Sequence, residues 1–216
     1  MLYLRILLLL GVLFCSGCGR KMEEKYQMAV LPPFEPTNYY VAGNLPEDVQ
    51  RVLMLPIYHT FEGDFLNEMD KVFYSELTKS MLFEVVTIDR EELQRIFGKS
   101  QYESAGILPT KFFEELAQRY AVQAILFTDI PSYKGFKPIS VGVRSKMVNV
   151  YTGDILWAFD TVFDAGNLQV AVDAKRFNSK NSTNTFPLDT YDIVLQSPSR
   201  FSKYVAYKVY TTLPKR

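Results

Sequence analysis

A single mixed α/β domain is what this sequence predicts, and three features predict it. Two short continuous apolar runs, at 52–57 and 124–130, are bounded by polar residues, as strands covered on both faces are. Between them apolar residues recur at helical spacing. Beyond them, residues 139–163 alternate apolar and polar side chains on either side of a turn, which is the pattern of a long antiparallel hairpin. The expected order is β-α-β-α-α-β-β-β-α, a three-layer-like domain around one mixed sheet with a helix at the carboxyl terminus.

Each element has its own signal. Val52-Leu53-Met54-Leu55-Pro56-Ile57 is the opening strand, and Pro56 marks its end. Asp64 caps a helix whose stripe is Phe65, Met69, Val72, Phe73 and Leu77, with Glu and Lys on the other face. Residues 83–88 form a second strand. Asp89, with Glu92 three residues on, resembles a capping box for a helix at 90–97. A loop follows at 98–108, and Thr110 caps the next helix, with Phe112, Phe113, Leu116 and Tyr120 as its apolar stripe. Residues 124–130 are the central strand and 131–138 a loop. In the hairpin, Ile139, Val141, Val143 and Met147 share one face, Tyr151-Thr152-Gly153-Asp154 turns, and Ile155, Trp157, Phe159 and Phe163 point one way on the return. A helix at 168–177, an exposed Asn/Ser/Thr-rich loop at 178–185 and an edge strand at 191–195 come next. Ser197 caps the last helix, with Pro198 in its first turn and Phe201, Tyr204, Val205 and Leu213 on its inner side.

Composition narrows the function. Hydrophobic residues make up 48% and aromatic ones 14% of 216 residues, so the body can bury a core. Basic and acidic side chains number 24 each, which argues against nucleic acid as an electrostatic partner. Both cysteines, Cys15 and Cys18, lie at the amino end, so the body has no thiol for a disulfide, a metal site or a nucleophile.

That amino end carries its own chemistry. Arg5, the apolar run 6–14 and Cys15-Ser16-Gly17-Cys18 have the layout of a secretory signal peptide and are too short to span a bilayer, which takes roughly 20 apolar residues. Ser16, Gly17 and Cys18 resemble the bacterial lipoprotein signal, although Cys15 stands where Leu is usual. The resemblance implies cleavage after residue 17, acylation of Cys18, and, because Gly19 rather than Asp follows, the periplasmic face of the outer membrane. Several acyl chains together give stable attachment. Residues 18–50, with Pro32, Pro33, Pro36, Gly43 and Pro46, are expected to be an extended tether reaching up to ~90 Å, and 51–216 the folded domain. Residues 28–34 and Tyr39-Tyr40-Val41 are more apolar than a spacer needs and are expected to pack on the domain.

In the body, the strand at 52–57, Phe83-Glu84-Val85-Val86 leading into Asp89, the strand beginning at Ala124, and above all Val148-Asn149-Val150-Tyr151-Thr152-Gly153-Asp154-Ile155-Leu156-Trp157 resemble a group of families. These are the amino-terminal domain of TolB, the curli-export lipoproteins and the penicillin-binding-protein activator lipoproteins. The resemblance implies a fold and an envelope location, and its motifs hold no catalytic residue. Curli-export proteins add two membrane hairpins; here the one long hairpin stands in the core position, so a pore is not expected.

No glycine-rich phosphate loop, HExxH or EF-hand pattern occurs, and neither cofactor nor metal is expected. His59 is the only histidine and reads as a loop residue. Asp129, Asp160 and Asp164 lie near strand ends, where paired acids could hydrolyse a glycan, though caps and solvated ends explain them more simply. The expectation is a non-catalytic, lipid-anchored adaptor with a protein partner that supports envelope assembly. The alternatives are a subunit of a secretion or surface-appendage assembly and an envelope hydrolase.

Overall fold

In the computed structural model, residues 30–61, 64–181 and 191–216 are described. The signal segment, Cys18, the tether up to residue 29 and positions 182–185 of the expected loop lie outside them. The described chain builds β1 (Tyr39–Val41), β2 (Arg51–Met54), α1 (Asp64–Thr78), β3 (Glu84–Thr87), α2 (Arg90–Phe97), α3 (Phe112–Tyr120), β4 (Ala124–Lys134), β5 (Ser140–Asn149), β6 (Ile155–Asp164), α4 (Leu168–Asn181), a 3-10 turn (Tyr191–Leu195) and α5 (Pro198–Tyr210). The strands form one mixed sheet in the order β1-β6-β5-β4-β2-β3, with β2 parallel to β3 and β4 and the rest antiparallel.

Both faces of the parallel half are covered, which is why its strands read as unbroken apolar runs. Val52, Met54, Ala124 and Leu126 face α1, α4 and α5, which contribute Met69, Phe73, Leu77, Val170, Phe201, Tyr204 and Val205. Leu53, Leu55, Ile125 and Phe127 face the other way, onto Leu93 of α2 and Phe112 and Leu116 of α3. Each large apolar side chain so buried contributes roughly 1.5–3 kcal/mol. The hairpin is covered on one face along most of its length, and only Val148 and Val150 near its turn reach the second core. Val141, Val143, Met147, Trp157, Phe159 and Phe163 enter the first core, while Arg144, Lys146, Ala158 and Asp160 lie half-exposed on the other face. Trp157 is fully buried and its Nε1 donates to Thr212 Oγ1 at 3.1 Å, so the indole's one polar atom is satisfied.

Several elements differ from expectation. Ile155 is 43% exposed, because a bulge sets two residues of β6 against one of β5 and turns Leu156 inward instead. β4 runs on through 131–134, with Pro131 in the irregular step between Asp129 and Ser132, where a missing N–H breaks no regular ladder. Asp89 precedes α2 but its side chain makes no capping bond, and the residue before α3 is Lys111 in a left-handed conformation rather than Thr110. The expected edge strand at 191–195 is the 3-10 turn. α4 extends to Asn181, taking the first four residues of the expected loop, and α5 stops at Tyr210 with Leu213 buried just beyond it. Ser197 does cap α5, accepting from Arg200 N.

The largest difference lies before residue 51. Tyr39–Val41 is an edge strand on β6, and Leu45 and Val49 are buried in the core. Of the apolar patches within the expected tether, residues 31–34 and Tyr39–Val41 thus lie against the domain, and residues 28–29 fall outside the described chain. Among the described residues no helix is long and apolar enough to cross a membrane.

Candidate functional site

The connection from β2 to β3 passes over one face through α1, and that from β3 to β4 over the other through α2 and α3. The reversal falls at the carboxyl ends of β2 and β4, where open α/β sheets usually take ligands. Here the chain's own backbone bridges β2 and β4 across that crevice, beside a cavity of about 290 Å³ between the carboxyl ends of β2 and β3 that Pro56, Asp70 and Arg90 help to line. Beyond β2, Leu55 N donates to Leu126 O at 3.0 Å, Tyr58 N to Thr128 O at 2.9 Å, and Ile130 N to Tyr58 O at 2.8 Å.

Three side chains lock this plug. Asp70 of α1 accepts from Ile57 N at 2.8 Å and from Arg90 Nη2 at 2.9 Å. Arg90 also donates to Ile57 O at 2.9 Å and to Gln101 Oε1 at 2.9 Å, and Gln101 Nε2 donates to His59 O at 2.7 Å. Burial raises the Asp70 carboxyl above its usual range, against the lowering effects of the Ile57 N–H and the Arg90 guanidinium. His59 lies in the plug. Its Nδ1 is 3.0 Å from Phe61 O, which can only accept, so Nδ1 carries the proton; Nε2 is buried without a hydrogen-bond partner. Its hydrogen-bonding contact is to the backbone of its own loop, and the Asp70 carboxylate that feels its charge is engaged by Ile57 N and Arg90.

The three carboxylates have separate duties. Asp129 is 2% exposed and accepts from both the backbone N–H and the hydroxyl of Ser104, which pins the loop after α2 to the sheet. Burial raises its pKa, with the Ser104 hydrogen bonds opposing. Asp160 pairs with Arg144 at 3.0 Å. Asp164 accepts from Gly166 N at 2.7 Å and closes a turn. Asp129 and Asp160 do share one row across the sheet, Asp129–Arg144–Asp160 in register. The residue between them is a cation whose charged form Asp160 favours, through its hydrogen bond first and its charge second. A glycosidase pair needs one acid held protonated opposite a free carboxylate with substrate between them; here one acid is spent on Ser104 and the other on Arg144. Around this row lies a shallow groove of about 350 Å³ on the uncovered half of the sheet, lined by Tyr40, Ser104, Arg144, Lys146 and Asp160. Lys146 Nζ stands 5.5 Å from the centroid of the Phe127 ring.

A second polar cluster went unseen in the sequence. Asp173 of α4, 6% exposed, receives Lys208 Nζ at 2.9 Å, Tyr204 OH at 3.1 Å and Arg176 Nη1 at 3.1 Å. Burial and the neighbouring Asp173 charge push the Tyr204 hydroxyl far above its ordinary pKa. The same cations reach the amino-terminal segment, Arg176 Nη2 donating to Leu31 O at 2.8 Å and Lys208 standing 3.5 Å from Glu35. Helical periodicity hides such a group, because Asp173 and Lys208 look like solvent-face residues of two separate helices.

No protein-family model and no curated protein sequence matches the chain. Similar solved structures include the PelC dodecamer from Paraburkholderia phytofirmans, 12% identical, covering 82% of this chain and 96% of that one at a TM-score of 0.46. Lipoprotein GNA1162 from Neisseria meningitidis is 17% identical, over 62% of this chain and 99% of its own, at a TM-score of 0.41. The carboxyl-terminal domain of LpoB from Salmonella enterica is 15% identical, over 53% and 82%, at 0.35. At this level of similarity neither ligand nor partner passes from those proteins to this chain.

Proposed function

We propose that this protein is a lipid-anchored periplasmic module, attached through acylated Cys18 to the outer membrane, which binds another protein of the envelope and supports its assembly without chemistry of its own. The observation that carries the reading is the employment of the candidate acids: Asp129 holds Ser104, Asp160 holds Arg144 and Asp164 closes a turn. Cys18 is left as the residue with an assignable reaction: its thiol displaces the phosphorylated head group of a glycerophospholipid to form a diacylglyceryl thioether, hydrolysis of the Gly17–Cys18 bond frees its amine, and that amine takes an acyl chain from a second lipid ester. Gly19 after it supports the outer membrane.

The test replaces Cys18 with Ser. The expected result is loss of the acyl mass and release from the membrane fraction with the body still folded; a variant that stays firmly in the membrane sinks the anchor. Crosslinking the lipidated protein in membranes is expected to recover a protein. Recovery of peptidoglycan or small molecules alone removes the adaptor role, and detergent-stable rings on size exclusion replace it with that of an assembly subunit.

A further inference from the structure

Residues 30–44 are bound to the body along their whole length, yet barely enter it. Eleven of these fifteen residues are exposed and only Pro36 is buried. They are held at the rim. Arg176 and Gln169 of α4 donate to Leu31 O and Pro33 O, Phe34 meets Phe163 edge-on at 5.6 Å, and Asn38 Nδ2 donates to Asp160 O at 2.7 Å. β1 itself is three residues long, with Tyr39 and Tyr40 about half exposed. Immediately after this segment the attachment changes character: Leu45 is 4% and Val49 0% exposed, Leu45 N donates to Lys215 O, and Arg216 Nη2 donates to Val49 O. Between the two regimes stands Gly43, at φ +148° with nothing within 4 Å of the position a Cβ would take. This is a pivot only glycine adopts easily.

We infer that residues 30–43 are a releasable strap that sets the length of the lipid tether, an inference that rests on Cys18 as the anchor. With the strap docked, the twelve residues 18–29 can span no more than about 40 Å. With it released at Gly43, residues 18–44 can span about 90 Å, and the outer edge of β6 at Trp157, Ala158 and Phe159 is uncovered. Local stability favours this division, since segments with few buried apolar contacts open far more often than the core beneath them.

Two arms test it on the full mature chain. Hydrogen exchange on the Cys18→Ser protein should show Ala42 and Asp160, whose N–H groups bridge β1 and β6, exchanging at least about 100-fold faster than the β4–β5 ladder. Exchange of these amides only together with that ladder overturns the strap. The second arm uses lipidated protein on a supported bilayer and reads the height of the body by neutron reflectometry. A Tyr40→Cys/Ala158→Cys disulfide should lock the strap, because these residues are direct cross-strand partners and such pairs lie about 5.5 Å apart at Cα. The locked body cannot lie farther than about 40 Å from the bilayer, and a Phe34→Ala/Asn38→Ala protein should stand farther out on average, with a height distribution whose tail passes that limit. Identical profiles overturn the control of tether length. Failure of every variant to bind the bilayer overturns the anchor instead, and the exchange arm still decides the strap.

Discussion

Asp173 and Lys208, one on α4 and one on α5, meet as an ion pair at 2.9 Å with 6% of either residue exposed. Removing one member of a buried pair costs about 3–5 kcal/mol; here the exposed Glu35 carboxylate, 3.5 Å from Lys208, remains to offset part of that loss. Asp173→Ala also strips Tyr204 of its acceptor and takes one partner from Arg176, so it should fall within that range in urea unfolding. Asp173→Leu combined with Lys208→Met removes both charges and should recover most of the loss. A double variant no better than the single one would mean that the pair is not the source of the cost.

Ser104→Ala is the second test, aimed at the loop that Asp129 fastens. It deletes one of two donors to a buried carboxylate and should cost about 1–3 kcal/mol. Burial of Asp129 also gives stability a pH dependence, whose sign follows from the direction of its shift. Its folded pKa is raised above the unfolded 3.8, so its contribution is complete below 3.8 and is lost as pH rises through the folded value. The stability of the wild type relative to Asp129→Asn should therefore shrink as pH rises from 3.8 into the raised range, then stay level to neutrality. A difference that grows over that interval would show the carboxyl to be depressed instead.

What the sequence made legible, and what it did not, follows from the range of the forces involved. The covered strands, the hairpin and the Met69/Phe73/Leu77 stripe announce themselves because burial is periodic along the chain. Ser197 was readable because its bond to Arg200 N spans three residues. Asp89 and Thr110 had the same local signature and failed, since tertiary placement decides whether a capping side chain turns inward. The plug of Asp70, Arg90 and Gln101 and the Asp173 cluster join residues from different elements, and no spacing rule links them. β1 was hidden by its prolines: Pro32, Pro33 and Pro36 carry the composition of a spacer, although residues 31–34 and Tyr39–Val41 lie against the body.

Arg90→Lys probes the plug. Arg90 makes a forked contact with Asp70 and further bonds to Ile57 O and Gln101, which one ammonium cannot reproduce. The expected loss is about 1–3 kcal/mol, accompanied by faster exchange at the Tyr58 and Ile130 amides that close the crevice. Unchanged exchange there, with stability lowered, would place the role of Arg90 elsewhere in the fold.

The hydrolase alternative is best tested without touching Asp129, whose replacement perturbs the loop it holds. Asp160 and Arg144 are both more than two-fifths exposed in their side chains, so Asp160→Asn should alter stability by at most about 1 kcal/mol. Asp164→Asn keeps an oxygen able to accept from Gly166 N and should be equally mild. The double variant therefore remains folded, and on the adaptor reading it complements a deletion strain fully. If it folds, reaches the membrane and still fails to complement, the uncovered sheet face is functional. Reversing the ion pair, with Asp160→Arg and Arg144→Asp together, then separates the two meanings: a binding surface that needs only an intact pair is rescued in part, whereas an acid required for chemistry at that position is not.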